Sequence, residues 1–439
     1  MQQKEQSKNT NALFIIGILF FSFGFITWLN GTLIPFLKIA CELKTDIQAF
    51  FVTFAFYMAY FFLSLPASYI LQKTGYKNGM ALGLLIIAIG SMLFIPAAKT
   101  RSFPFFLIGL FIQGTGLALL QTASNPYISI LGPIKSAAKR ISIMGICNKV
   151  AGALSPLILS SIVLKNTQAL EAQIKLTTNS EERNILLNNL AERIINPYCV
   201  IAAVLILLAI IIRRSSLPEI EMGTEEQATG TVKKTSVFQF PYLLLGVLCI
   251  FLYVGVEVMA GDAIGAYGRS MGMSVDDTKY FTTFTLIAML VGYIVGIFTI
   301  PKIISQEKSL TISAIIGIIF TTIVYFTVGK ISIVFIALLG LANALMWPAI
   351  FPLAIEGLGK FTKTGSALLV MGIAGGAVIP LIYGSLMPKN VLGNGPAFFV
   401  CMIPCYIYIL FYSLKGHLIG KRQTKEEATI ISLQPALES

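Results

Sequence analysis

Twelve apolar runs, recurring from residue 12 to residue 415, leave this chain very few ways to fold. A hydrocarbon core of about 30 Å is crossed by about 20 helical residues, so each run predicts a membrane-spanning helix. They cover 12–37, 49–71, 79–98, 103–131, 141–164, 197–212, 241–268, 280–301, 309–328, 331–356, 364–387 and 395–415, hereafter spans 1 to 12. The sixth, Pro197 to Ile212, is the shortest. Composition agrees: 56 % of residues are hydrophobic and 12 % charged, with a mean hydropathy of +0.81, where soluble domains carry about a quarter charged residues. The expected fold class is therefore an all-α membrane protein with twelve transmembrane helices.

The first run is full length, contains Asn30 and has no Ala-x-Ala exit before the next run, so it reads as a retained span and not as a cleaved signal. The six cysteines, Cys41, Cys147, Cys199, Cys249, Cys401 and Cys405, fall mostly inside spans. Cys401 and Cys405 share a helix face, and no disulfide framework, metal site or cofactor is expected. The formal charge of +12 does not point to nucleic acid, because the basic residues sit in short loops. Of 32 Lys and Arg, 19 fall on the side of the chain termini and 12 on the other, with Lys149 inside a span. Four of those 12 lie in the long loop 165–196, where the positive-inside rule is weaker, so both termini are expected to be cytoplasmic.

The polar stretch Arg213 to Gln239 divides six spans from six. Residues 1–212 form one half, 213–240 a cytoplasmic linker, 241–418 the second half and 419–439 a cytoplasmic tail. Gly116-Leu117-Ala118 recurs as Gly340-Leu341-Ala342, and Gly152-Ala153-x-x-Pro156-Leu157-Ile158 as Gly376-Ala377-x-x-Pro380-Leu381-Ile382. Both matches share an offset of 224 residues, as a duplicated six-span unit in parallel arrangement requires. Within 166–196, Asn179 or Ser180 caps a helix whose Leu187, Leu190 and Ile194 lie opposite Glu181, Glu182 and Arg183. This amphipathic segment either packs over the ends of spans 5 and 6 or offers a partner site.

An ionisable side chain at membrane depth costs about 2.5–3.5 kcal/mol on insertion scales and needs a partner, a wet cavity or a route to the interface. Lys149, beside Asn148 in span 5, either snorkels to the cytoplasmic side or serves a cavity as a donor. Glu356, at the end of span 10 near Lys360 and Lys363, reads as an interfacial ion pair. Glu257 and Asp262 lie well past the first four turns of span 7 and point about 140° apart unless Gly261 bends the helix. Asp262 either reaches Arg269 at the outer interface or faces the interior.

Gln121 and Asn125 lie four residues apart on one face of span 4, and Pro126 frees a backbone carbonyl beside them. That face must meet a helix or a water-filled cavity. Amides donate and accept without the desolvation cost of a charge, which suits a neutral hydroxyl-rich ligand such as a sugar. Span 10 repeats the combination with Asn343 and Trp347, and span 1 with Trp28 and Asn30. These are the only two tryptophans, placed where a ring face could stack on a sugar; interhelical packing is the rival reading of each residue.

The segments "FGFITWLNGTLIPFLK", "LPASYILQKTGYKNGMALGLLIIAIGSMLFIPAA", "LALLQTASNPYISILGP", "FLYVGVEV" and "GSALLVMGIAGGAVIPLIYG" resemble the fucose/glucose/galactose symporter family of the major facilitator superfamily. The resemblance runs through all twelve spans and implies two pseudo-symmetric six-helix halves. It further implies uptake of a sugar across the bacterial inner membrane by alternating access, generally driven by a proton or sodium gradient. N-acetylglucosamine carriers are among the relatives it suggests. Fucose carriers of this family have an acid after the span 1 asparagine and another before the Thr-Ala of span 4, whereas this chain has Gly31 and Gln121. The fucose-type proton relay therefore does not transfer. Gln121 suits the glucose/galactose branch, while "WLNGTLIPFLK" looks closest to N-acetylglucosamine-type members.

The candidate substrate-binding residues are thus Trp28, Asn30, Gln121, Asn125, Asn148, Lys149, Glu257, Asn343 and Trp347, with Glu257 and then Asp262 as coupling groups. The expected partners are a small sugar, a coupling cation and the lipid bilayer, with the chain acting as a monomer. An uncoupled sugar facilitator and an exporter of amphipathic compounds are the alternatives. A membrane enzyme is not expected, since the single histidine, His417, lies outside the spans and no base and nucleophile pair is visible.

Overall fold

The computed structural model describes residues 2–130, 137–215, 217, 235–300 and 302–421. Most of the linker and the tail beyond Lys421, to which the sequence assigns separate segments, lie outside the described residues. Among the described residues the regular structure is entirely helical, and all twelve runs form spans. Spans 2 and 3 follow one another within Asp46–Met92, with the turn made at Gly75, whose φ of 75° and ψ of 170° leave the helical region. The short sixth run is a full helix, Ile195–Arg214. Its Tyr198, Ala202, Leu205, Ala209 and Ile212 are buried, while Val200, Val204, Leu207 and Ile211 face outward as a lipid-side stripe.

Five spans are interrupted, span 3 between Asp46–Met92 and Phe94–Thr100. Span 1 consists of Gln2–Thr27 and Asn30–Ala40, and span 7 of Pro241–Gly261 and Ile264–Ser270. Span 10 consists of Lys330–Asn343 and Met346–Ile355, and span 11 of Thr362–Met371 and Gly375–Leu386 joined by a 3-10 turn. Broken helices are tolerated at membrane depth only where protein or a wet cavity covers the freed backbone groups. Here threonine hydroxyls cover two of them: Thr282 and Thr285 donate to the carbonyls of Gly261 and Ala260, each at 2.8 Å.

Helix pairing repeats between the halves. Span 1 packs on span 5 as span 7 packs on span 11, span 3 on span 6 as span 9 on span 12, and span 2 on span 4 as span 8 on span 10. Even the aromatic contacts correspond, with Phe94 stacked on Tyr198 at 4.0 Å and Tyr325 against Phe399 at 4.8 Å.

One end of the bundle, the linker face, carries Arg214 and Pro241; the opposite end carries the 165–196 segment. That segment holds two helices, Thr167–Leu176 and Ser180–Glu192, where the sequence suggested one. Asn179 caps the second by accepting from the Glu181 amide at 2.9 Å, and Leu187, Leu190 and Ile194 are buried as expected. Its resting place differs: it sits on Phe94–Thr100 of span 3 and Asn30–Ala40 of span 1 instead of spans 5 and 6. Arg183 pairs with Glu42 at 2.7 Å and Arg101 bonds Asn184 at 2.8 Å, and these contacts draw the hairpin over the first and third spans.

Two further pairings depart from sequence expectation. Glu356 forms its ion pair with Lys421, at 2.6 Å, a partner brought in by the fold from beyond span 12; the side chains of Lys360 and Lys363 lie outside the described residues. Arg269 approaches Glu171 at 3.8 Å and leaves Asp262 without it. All six cysteines are free, and Cys405 donates to the Cys401 carbonyl one turn earlier.

Candidate functional site

On the hairpin side the halves are closed against each other. Thr283 donates to the Ala153 carbonyl at 3.1 Å, Phe50 meets Tyr383 edge-on at 5.7 Å, and the Gln168 amide donates to Asp276 at 3.3 Å. Below this closure lies a cavity whose space not filled by protein atoms, about 780 Å³, includes its opening to solvent. The first half lines it with Phe20, Phe23, Thr27, Trp28, Tyr57, Tyr60, Gln121, Asn125, Asn148 and Lys149, among others. The second half contributes Tyr253, Val254, Glu257, Tyr293, Trp347, Pro348 and Ile373. A smaller hollow bounded by Asn125, Ile141, Trp347 and Phe351 continues it toward the linker face.

Trp28 forms the wall on the closed side. It stands at the break of span 1, is 2 % exposed, and fits between spans 5 and 7 because Gly152 and Gly261 carry no Cβ to strike its ring. The Lys149 ammonium lies 4.6 Å from its ring centroid, a cation–π contact made in a desolvated place. The same ammonium bonds Glu257 Oε1 at 2.7 Å. Both residues are more than nine-tenths buried, so Lys149 does not snorkel: a counter-charge from the other half is nearer than the interface. Removing either partner would strand a charge in a site where desolvation costs several kcal/mol.

The amides divide. Gln121 donates to the Tyr60 hydroxyl at 2.8 Å, and Tyr60 stacks near Tyr57 at 6.3 Å, giving the cavity one wall of amide and phenol. Asn148 leans on the Phe20 carbonyl at 3.4 Å, and Asn125 faces the cavity from one turn beyond Gln121. The side chain of Pro126 lies outside the described residues.

Asn343, by contrast, does not reach the cavity. It is fully buried and accepts from Tyr406 at 2.8 Å while its amide points to the Val256 carbonyl at 3.5 Å, tying spans 7, 10 and 12 at the break of span 10. Interhelical packing, the rival reading, holds for that residue. Asn30 and Asp262 are also outside the lining, each 1 % exposed and set behind Trp28. Asp262 keeps helical geometry, its amide bonded to the Val258 carbonyl at 2.7 Å, so it projects about 140° round the helix from Glu257 and is absent from the cavity lining. His417 is packed on the Tyr412 carbonyl at 3.0 Å, away from the cavity.

The sequence reading missed the phenols. Tyr57 and Tyr60 in span 2, Tyr253 in span 7 and Tyr293 in span 8 line the cavity, and Trp347 lies 6.5 Å from Tyr253. A signal existed: tyrosines at midspan are neither interfacial anchors nor fully apolar, and Tyr57 and Tyr60 share a helix face.

Residues 16–382 match the model of the Major Facilitator Superfamily. A glucose/galactose transporter of Brucella abortus biovar 1 (strain 9-941) is 35 % identical over 408 residues, covering 92 % of this chain and 94 % of its own length. The L-fucose-proton symporter of Escherichia coli (strain K12) is 27 % identical over 400 residues, covering 90 % of each. A crystal structure of a Major Facilitator Superfamily transporter, FucP, in the outward conformation superposes with a TM-score of 0.73 at 26 % identity, covering 92 % of this chain and 98 % of that one. With the same twelve-helix architecture and a family model matched across most of its length, this chain belongs to the Major Facilitator Superfamily.

Proposed function

We propose that this chain is a sugar carrier of the bacterial inner membrane, importing a neutral hexose or N-acetylhexosamine by alternating access and coupled to a cation gradient. One observation carries the reading: a single cavity drawn from both halves, walled by amides and aromatic rings, in which the charges among the described lining residues, Lys149 and Glu257, pair across the halves. Amides and phenols match sugar hydroxyls, and Trp28, Tyr57 and Trp347 supply faces for the C–H side of a pyranose. The names of the relatives, a glucose/galactose transporter and an L-fucose-proton symporter, support the same substrate class and favour protons as the driving ion. Carriage leaves the sugar chemically unchanged, so the protein works as a transporter and not an enzyme, as a monomer.

The basic-residue asymmetry supports a cytoplasmic linker face and cytoplasmic termini. The closed hairpin face then fits a carrier shut to the outside, while the FucP relative was captured outward. Residues 1–212 and 241–418 would rock about the cavity, with 213–240 as tether and 419–439 as tail. Trp28, Gln121, Asn125, Asn148 and Trp347 hold the sugar, and Glu257 is the coupling group. In the captured state its charge is answered by Lys149; protonation of Glu257 would release that lysine and loosen the buried ion pair between the halves, leaving the Arg269–Glu171 contact at 3.8 Å on the hairpin side.

Uptake of labelled glucose, galactose and N-acetylglucosamine into proteoliposomes, with imposed proton or sodium gradients, tests the whole reading. Accumulation of one of these sugars above equilibrium supports it; no saturable entry of any of them defeats it. Glu257→Gln is expected to abolish accumulation while retaining counterflow, and unchanged uphill uptake in that variant removes Glu257 from coupling.

A further inference from the structure

The interruptions of spans 1 and 7 meet on the closed side of Trp28: its ring lies against Gly261, and Gly31 lies against Thr282. Among the described residues, several buried polar atoms here lack a well-formed hydrogen bond, although the Tyr57 hydroxyl approaches Asn30 and the Gly31 amide approaches Asp262. Both oxygens of Asp262, both amide atoms of Asn30, and the hydroxyls of Thr27 and Thr32 are in this condition. Asp262 and Asn30 are each 1 % exposed. The charged and titratable groups around Asp262 are Glu257 on its own span, Lys149 on span 5 and Tyr57 on span 2, and the Gly31 amide faces it from span 1. The Gly31 amide offers the carboxylate one donor and Lys149 attracts it from a distance, but neither brings a positive charge into contact with it. The Lys149 ammonium is held by Glu257 at 2.7 Å, and Arg269 turns to Glu171.

A bare carboxylate in such a place costs several kcal/mol, and neutralisation removes that cost. The helices Gln2–Thr27 and Pro241–Gly261 end at this junction with partial negative charge while Asn30–Ala40 and Ile264–Ser270 begin there with the opposite sign, so the helix ends largely offset one another and the carboxylate remains the full charge of the junction. Oxygen atoms at broken helices are also the ligands that hard monovalent ions take within membranes.

We propose that Asp262 and Asn30 form a monovalent-cation site, separate from the sugar cavity, and that the carrier closes its hairpin face only when this site is filled. The carboxylate comes from the second half and the amide from the first, so closure itself completes the site. An empty carrier with Asp262 ionised stays open, because closing would bury an unanswered charge. A sodium ion and a proton supply the same single positive charge. Trp28 connects the site to the cavity, touching Gly261 next to Asp262 and standing over Lys149.

The inference rests on the alternating-access reading, and its test uses no sugar. Full-length protein carrying Ala266→Cys, at the seam beside Ile34 and Arg269, is placed in vesicles in a Cys41→Ser background. The rate of labelling by a membrane-impermeant maleimide reports opening of the hairpin face. Replacing choline by sodium at constant pH, or lowering the pH in choline with each rate divided by that of a free thiol at the same pH, should slow labelling about tenfold, and the effective arm names the ion. Asp262→Asn should label slowly in choline and ignore both cations. Asn30→Ala keeps the carboxylate and should raise the half-maximal cation concentration about tenfold, a readout that stands if Asp262→Asn fails to fold. A parent rate blind to both cations, or a cation response surviving in Asp262→Asn, overturns the proposal. A full cation response in protein that carries no sugar would instead defeat the sugar reading alone.

Discussion

At the scale of single residues, the structure separates side chains that line the cavity from those that hold helices together. Gln121 and Asn343 are both midspan amides bonded to a tyrosine, at 2.8 Å in each case, yet only Gln121 borders the cavity. Gln121→Ala is expected to raise the half-saturating sugar concentration about tenfold with little change in melting temperature. Asn343→Ala leaves the Tyr406 hydroxyl buried without its acceptor and should cost about 1–3 kcal/mol of stability at unchanged half-saturation. Transport kinetics beside thermal unfolding in detergent distinguish the two, and an exchange of phenotypes would reverse the assignment. Lys149→Met alone strands Glu257 and should destabilise by about 3–5 kcal/mol, whereas Lys149→Met with Glu257→Gln should recover most of that stability without recovering uphill transport. Outside the spans, burial pushes the Cys41 thiol up to about 12, with Arg101 opposing. The thiol therefore stays protonated at pH 8, and Cys41 should react with maleimide far more slowly than a free cysteine would. Gln121, Asn343, Lys149 and Glu257 were legible in sequence as intramembrane polar groups. Their partners were not, because Lys149 and Glu257 are 108 positions apart and no local pattern encodes which helix faces meet.

At the scale of elements, the twelve spans could be read directly, because lipid demands a continuous apolar run for each crossing. The interruptions were harder to see. Asn30-Gly31 and Gly261-Asp262 contain residues that loosen a helix, and Gly261 stood out as a possible bend, but the position of each break depends on what it packs against. Trp28 occupies the space left by Gly152 and Gly261, and Gly31 makes room for Thr282, so a side chain at position 31 would collide in this conformation. That contact gives a physical reason for glycine where the resemblance implies an acid in fucose carriers. Gly261→Val should therefore dislodge Trp28 and accelerate labelling of Ala266→Cys several-fold, while Gly395→Val, with nothing within 4 Å of its would-be Cβ, should not. Equal effects of the two substitutions would mean that Trp28 is no wall.

At the scale of the whole molecule, the pairing of spans 1 with 5 and 7 with 11 repeats within each half, while the halves meet in the hairpin-side closure and where Thr362–Met371 packs on Asp46–Met92 and span 4. The duplication behind this symmetry was visible in the shared 224-residue offset, but the direction in which the cavity opens was not. One sequence must serve both states of a rocking carrier, so its pattern cannot favour either strongly. The seam where Thr283 donates to the Ala153 carbonyl at 3.1 Å offers a direct test of that motion. A cysteine pair at 153 and 283, oxidised in vesicles, should hold the hairpin face shut and reduce sugar uptake to background, and reduction should restore it. Each single cysteine should transport under the same oxidant. If the fully cross-linked protein still carries sugar at the uncross-linked rate, the two halves do not separate at this seam, and substrate must pass through the molecule by another route.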